Sequence, residues 1–444
     1  MSTPVDSLQR LTGWAAAAVA AGDAPDWLRA ARGEALADAE ALPLPNQKSE
    51  AWRYTSIEPL LRQAFQPVTQ TPEVALGEAN GYALLGEDSL RVVLVNGRFA
   101  PELSRLAAVP DGVTLGSLKS LSEAGVPIAR AVLTKTKTDA GNVFTSLNRA
   151  GWQDGLLLHL RAGVLLGQPL EVLHLSLGGD APHVAQSRHT IELEAGAHAS
   201  IVERYVAMDE GSYCNNSMLE IALGEGASLV HTRLQEESAQ GFHIAGIDLR
   251  QHANSEYRAV HFAAGAQWSR TDINVAFLGP DADCDLNGVY LTGDKQLTDY
   301  HINVTHDVPG CTSKERFRGI VYGRGRAVFD GRIFVQKDAQ KTDAQLSNDN
   351  LLLSRNGEVD TKPWLEILAD DVKCSHGTTV GQLDEQMVFY LRSRGIPEPE
   401  ARQLLCLGFA GEVLDALEFP ALREHAEDIV RTRLSQVVGD TATA

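Results

Sequence analysis

The sequence predicts a mainly β protein whose body is a β-helix, with helical segments at both ends. Three observations carry this reading. From about residue 155 to 375, short β-branched or alternating runs are punctuated by Gly, Asp and Asn, with little helical periodicity. A small or acidic turn followed by a strand recurs at Glu194–Val202, Gly224–Val230, His252–Arg258 and Pro280–Leu286, at intervals of about 26–30 residues, the range of stacked coils. The stretches before residue 65 and after Gly377 read as helices. Each coil of such a solenoid buries its face on its neighbours. A β-sandwich or jelly roll is the rival, since strands every 8–12 residues suit it too, but the runs outnumber the strands of one ordinary sandwich. Coil edges left open would need covering or pairing, which points to an oligomer.

At 444 residues the chain has room for two or three modules. The organisation expected is an N-terminal helical unit over 1–85, a β-helix core over 86–376 with a mixed entry segment at 86–154, and a C-terminal helical unit over 377–444. The first unit holds an alanine-rich helix around Trp14–Ala21 and a second over Asp26–Ala39, broken by Pro43 and Pro45. Thr55 with Glu58 fits a capping box opening a helix through Phe65. Leu90–Phe99 reads as a strand closed by Asn96-Gly97, a strong hairpin signal. Residues 116–150 read as helical, followed by the strand runs. After Gly377 come Asp384–Ser393, terminated at Gly395-Ile-Pro397, then Pro399–Leu417, then a last helix opened by Pro420. Three short amphipathic helices must pack on the β body or on another protein. From Gly439 a frayed tail is expected.

The formal net charge of −19 repels phosphate backbones and anionic membrane surfaces, so neither nucleic acid nor membrane is an expected partner. No run approaches the ~20 apolar residues of a membrane span. Five scattered cysteines make no disulfide framework and read as thiols of a reducing compartment, so a cytoplasmic location is expected.

Several motifs are missing. There is no GxxxxGK[ST] phosphate loop, so ATP hydrolysis is not expected on this chain. HExxH, CxxC and GxSxG are absent as well. What remains is Cys374-x-His376, at the end of the run Leu365–Gly377. Residues two apart on a strand point to the same side, so the thiol and imidazole share a face. Both are ligands for iron and other borderline metals, though two ligands do not close a site. Asp370 and Asp371 could add to them. A half-buried cysteine beside a hydrogen-bonded histidine is the plainer reading of the same residues. Cys214, Cys284 and Cys311 read as small hydrophobes inside coils.

Several blocks, in order along nearly the whole chain, resemble the SufD branch of the SUF iron–sulfur cluster assembly family. They are Glu50–Thr55, Val95–Ser104, Phe144–Asn148, Ser347–Leu353, Thr361–Ile367, Val372–Gly381 and Phe389–Ile396. The resemblance implies a right-handed parallel β-helix between helical ends and a non-enzymatic scaffold role. It also implies pairing with a SufB-like paralogue and docking of a SufC-like ABC-type ATPase on the C-terminal helices, with ATP held only by that partner. A transient iron–sulfur cluster would form at the interface of the paralogues. The family's functional histidine falls on His376, with Cys374 beside it. SufB-type sequences carry a functional cysteine where this chain has Asn348, and an acid-His-acid block where it has Ser375-His376-Gly377. Both departures favour the SufD branch. A homodimer is the alternative assembly for the isolated chain. The other function classes consistent with a β-helix are a polysaccharide-processing enzyme and a purely structural solenoid.

Overall fold

A computed structural model describes residues 4–20, 24–107, 109–135, 142–179 and 181–440. Part of the expected 116–150 helical region and the extreme tail of the chain lie outside these residues.

The recurring turns build the fold. At equivalent points of successive turns the backbone is left-handed, at Gly196 (φ 68°), Gly226 (64°), Asn254 (57°), Asp281 (59°), Gly310 (77°) and Lys341 (66°). Gly, Asn and Asp tolerate this conformation best, which is why the sequence repeat is written in those residues. Each left-handed residue donates its N–H to the next turn: Gly196 to Glu225 O (2.8 Å), Gly226 to Ala253 O (2.9 Å), Asn254 to Pro280 O (3.0 Å). The series continues with Asp281 to Pro309 O (3.3 Å), Gly310 to Gln340 O (2.9 Å) and Lys341 to Asp371 O (2.7 Å). One corner of the molecule is thus a ladder of turns.

Between corners, the chain alternates between two parallel sheets and makes a β-solenoid of about seven turns. One sheet stacks the strands Leu156–Leu160, His183–Leu193, Tyr213–Leu223, Phe242–Gln251, Trp268–Phe277, Leu297–His306, Arg326–Val335 and Glu358–Ile367. The other stacks Leu90–Val95, Leu170–Ser176, His198–Ala207, Ser228–Glu236, Glu256–Ala263, Asp283–Thr292, Thr312–Val321, Asp343–Leu352 and Lys373–Gly381. Alternate side chains point into the lumen, where Leu229, Ile247, Tyr257, Ile273, Leu286, Ile302, Phe317 and Phe329 form a continuous core. The Asn96-Gly97 turn is a hairpin, with Val95 opposite Arg98 and both turn residues left-handed.

Several sequence expectations shift. Asp343–Leu352 is a strand although Asn348 and Asn350, which propensity assigns to turns, occupy its inward positions. Over 116–150, helices Leu118–Glu123, Pro127–Lys135 and Val143–Gly151 follow a strand, Val113–Ser117. The Thr55–Glu58 capping box does not form: the helix spans only Glu58–Leu61 behind an uncapped Ile57. The Thr55 hydroxyl donates instead to Asp299 Oδ2 (2.5 Å), a tertiary bond that outcompetes the local one.

That bond belongs to a strap. Glu50–Ser56 lies across the outer face of the first sheet, where Trp52 sits beneath the Arg270 guanidinium (3.8 Å to the ring centre). Arg270 Nη1 donates to Ala51 O (2.7 Å) and Trp268 Nε1 to Ser56 O (2.9 Å), and Glu50 pairs with Lys362 on the last strand of that sheet (2.5 Å). Helix Val143–Gly151 is pinned beneath by Asn148, whose Nδ2 donates to Ser187 O and Asn216 O (2.9 Å each).

The chain turns helical after Gly381 rather than after Gly377. Asp384 caps helix Glu385–Ser393 by accepting from Gln386 N (2.8 Å), and Gly395 (φ 89°) ends it as expected. Helices Glu398–Leu414 and Pro420–Asp440 pack on the second sheet, burying Cys406, Val413, Leu422 and Val430 against Val260, Val289 and Ile320. Two polar clasps fix them. Arg318 Nη1 donates to Phe409 O (2.7 Å), and Glu236 Oε2 meets His425 Nε2 (2.8 Å) beside Arg204.

Candidate functional site

The strand Lys373–Gly381 is the last of its sheet. One side pairs with Asp343–Leu352, and no strand among the described residues pairs with the other. The same holds for Glu358–Ile367 in the opposite sheet. The solenoid is therefore open at this end, and the inward positions of its last coil have nothing above them.

Cys374 and His376 occupy two of those inward positions. The register stacks Cys284, Ser313, Ala344 and Cys374 in one column, and Leu286, Glu315, Leu346 and His376 in the next. Below them the columns are closed core. At the top, Cys374 is half-buried against that core and His376 is exposed. Burial pushes the Cys374 thiol above its ordinary pKa, so the thiol form is favoured until a cation or partner charge arrives. Thiol and imidazole thus share the lumen-facing side of an edge strand, within reach of anything that adds to its open side.

The acids beside them do not join. The Asp371 carboxylate pairs with Lys341, its N–H bonds Gln340 Oε1 (2.9 Å) and its carbonyl closes the turn ladder. Asp370 is exposed in the same corner. Cys214, Cys284, Cys311 and Cys406 are buried thiols, all raised in pKa by burial, Cys406 to about 12. Asn348 is a lumen group: its Nδ2 donates to Tyr290 Oη (3.0 Å) and its Oδ1 accepts from Asn350 (2.8 Å).

Two features escaped the sequence. The first is an apolar surface on helix Glu385–Ser393, where Phe389 is 70 % exposed and Met387 and Tyr390 each 56 %. The second is a polar sector deep in the lumen of the early coils. Glu203 is its hub, accepting from Tyr205 Oη (2.8 Å) and approached by His174 Nε2 (3.3 Å), Arg233 Nε (3.4 Å) and His231 Nε2 (3.6 Å). Burial opposes its ionisation, but the two imidazoles and the Arg233 charge outweigh burial and hold the carboxylate well below its usual range. Arg233 Nη2 continues to His243 Nε2 (2.5 Å), and His243 Nδ1 to Glu237 (2.9 Å). Burial, with the neighbouring His174, pushes His189 down to about 3. The signal was available: these residues sit at alternate, inward positions of β-runs, where apolar side chains belong.

No helix among the described residues is long and apolar enough to cross a membrane. Residues 176–409 match the family model of the SufBD core domain of SUF-system FeS cluster assembly, and residues 15–172 match the SufBD N-terminal region. An iron–sulfur cluster assembly SufBD family protein of Synechocystis is 33 % identical, over 88 % of each chain. The iron–sulfur cluster assembly protein SufD of Escherichia coli is 32 % identical over 88 % of this chain and 89 % of its own. Protein ABCI7, chloroplastic, of Arabidopsis thaliana is 31 % identical over 88 % and 82 %. Two family models that together span both helical ends' flanks and the solenoid, with relatives alike along their length, place this chain in the SufBD family of the SUF iron–sulfur cluster assembly system.

Proposed function

We propose that this chain is a non-catalytic, SufD-type scaffold subunit of iron–sulfur cluster assembly, and that His376, with Cys374 beside it, supplies half of a site for incoming iron or a nascent cluster. The observation that carries the reading is the open coil. Thiol and imidazole face the same side of an edge strand, at an end where the lumen columns lack a cover among the described residues. Two ligands leave a tetrahedral iron incomplete. A SufB-like paralogue adding its own terminal strands would bury the exposed column and bring the missing ligands. Cluster and iron are cargo, held transiently by both subunits.

The apolar face at Met387, Phe389 and Tyr390 is the docking surface for a SufC-like ATPase, which carries the ATP. The working division is a helical unit over 1–85, a core from 86 through the last strand, Lys373–Gly381, and the docking helices after it, in a cytoplasmic protein. A homodimer through the same edges is the assembly of the isolated chain.

The test is co-expression with the partners, purification without oxygen, and measurement of iron and sulfide on the complex. His376→Ala should cut both at least several-fold while the complex still forms; an unchanged yield removes His376 from the site.

A further inference from the structure

The lumen sector around Glu203 has no place in this scheme, lying many coils from the open end. We propose that His174, His189 and Glu203 form a binding site for one borderline divalent transition-metal ion inside the solenoid, separate from the Cys374–His376 pair. The three residues come from consecutive strands, Leu170–Ser176, His183–Leu193 and His198–Ala207, and offer one ligand atom each, all within 4.8 Å of one another. Their exposures are 4 %, 1 % and 4 %. Among the described residues His189 Nε2 has no hydrogen-bond partner, His174 Nε2 reaches only Glu203 Oε1 (3.3 Å), and Glu203 Oε2 has only the longer contacts to Arg233 (3.4 Å) and His231 (3.6 Å), so all three atoms are under-satisfied in one dry cluster. The rings are held in place: His174 stacks on Tyr205 (4.0 Å between centres, 5° between planes) and meets His189 edge-on (4.9 Å, 88°).

Two imidazoles and a carboxylate are the donor set of zinc and ferrous sites with an open position. Charge points the same way. The sector contains two carboxylates, Glu203 and Glu237, against one guanidinium, Arg233, so a cation is electrostatically favoured there. Arg233 stays on the far side of the hub, spread over the Tyr205 ring (4.6 Å) and bonded to His243.

Ligation has a specific consequence at His189. Its Nδ1 accepts from Leu156 N (3.0 Å), so the ring hydrogen sits on Nε2. Binding a metal through Nε2 moves that hydrogen to Nδ1, with no net gain or loss of protons. Nδ1 then becomes a donor and the Leu156 N–H is released. Metal binding therefore loosens one backbone amide in the first coil.

The probe is Co2+, added to the full chain during refolding from metal-free denaturant. The background is Cys374→Ser/His376→Ala, so that the open-end pair contributes nothing. The proposal expects about one Co2+ per chain that survives chelator desalting, a visible spectrum without thiolate charge-transfer bands, and faster hydrogen exchange in the peptide carrying Leu156. Glu203→Gln in that background should bind at least tenfold more weakly; if it does not refold, His189→Gln replaces it. Should neither variant refold, uptake by the background chain decides. No cobalt above the variant's level, a thiolate band, or unchanged exchange at Leu156 with cobalt bound would each overturn the site.

Discussion

Glu315 is fully buried in the lumen column beneath His376, and no cation among the described residues pairs with its carboxyl. Burial pushes its pKa up to about 8, so the folded protein holds this proton where the unfolded chain, near 4.5, has lost it. Folding therefore becomes less favourable as pH rises from about 4.5 to about 8, by on the order of 3 kcal/mol at pH 7. Glu315→Leu should raise the melting temperature at pH 7 and flatten the loss of stability between pH 5 and 8; a variant that melts at or below the parent would contradict this. Individual side chains of this kind were the least legible part of the sequence. A glutamate in a β-run looks solvated, and only the register shows that Glu315 points inward. Cys374 and His376 were legible because a spacing of two fixes a shared face on any strand. That the face is the uncovered end of a lumen depends on where the last coil stops, which no local pattern records.

At the scale of elements, the edge strand and the helices make separate demands. Val380 is 46 % exposed on the open strand Lys373–Gly381. A charge there should block strand addition while leaving the internal pairing intact. Val380→Lys is thus expected to abolish association with the proposed SufB-like paralogue, or of two copies of this chain, in size-exclusion chromatography, with unchanged thermal unfolding. Deleting the C-terminal helices is a poor test of ATPase docking, since it uncovers Val260, Val289 and Ile320, each contributing about 1.5–3 kcal/mol by burial. Phe389→Asp changes only the exposed face and should lower affinity for the proposed SufC-like ATPase at least tenfold in a titration, with the fold unaltered. The clasp at Glu236 titrates in the opposite sense to Glu315. Burial raises its pKa, but His425 and Arg204 overcome burial and leave it lowered. Its contribution is therefore present above the ordinary carboxylate pKa and lost as pH falls below it. Glu236→Gln should cost about 3 kcal/mol at pH 7, read by chemical denaturation, because the buried Arg204 charge loses its carboxylate and keeps only Tyr82 O and His425. The helices were readable from their caps and stops. Their packing on the second sheet was not, because amphipathic periodicity shows that a helix has an apolar face but not what covers it.

For the whole molecule, the solenoid was legible from its corners, since the left-handed residues at Gly196, Gly226, Asn254 and Asp281 are the sequence repeat itself. The strap Glu50–Ser56 was not. Its tryptophan and threonine look like local helix features, whereas their partners Arg270 and Asp299 lie more than 200 residues on. That separation has a consequence for biosynthesis. A ribosome delivers the strap long before the surface it grips, and Lys362 arrives 312 residues after Glu50. Until the late coils emerge, Trp52 has no Arg270 to lie under. Trp52 can settle early against Phe144, 5.7 Å away, but the nascent chain carries the strap's outer face unclasped until the late coils emerge, so one of the first parts to be made is among the last to be locked down.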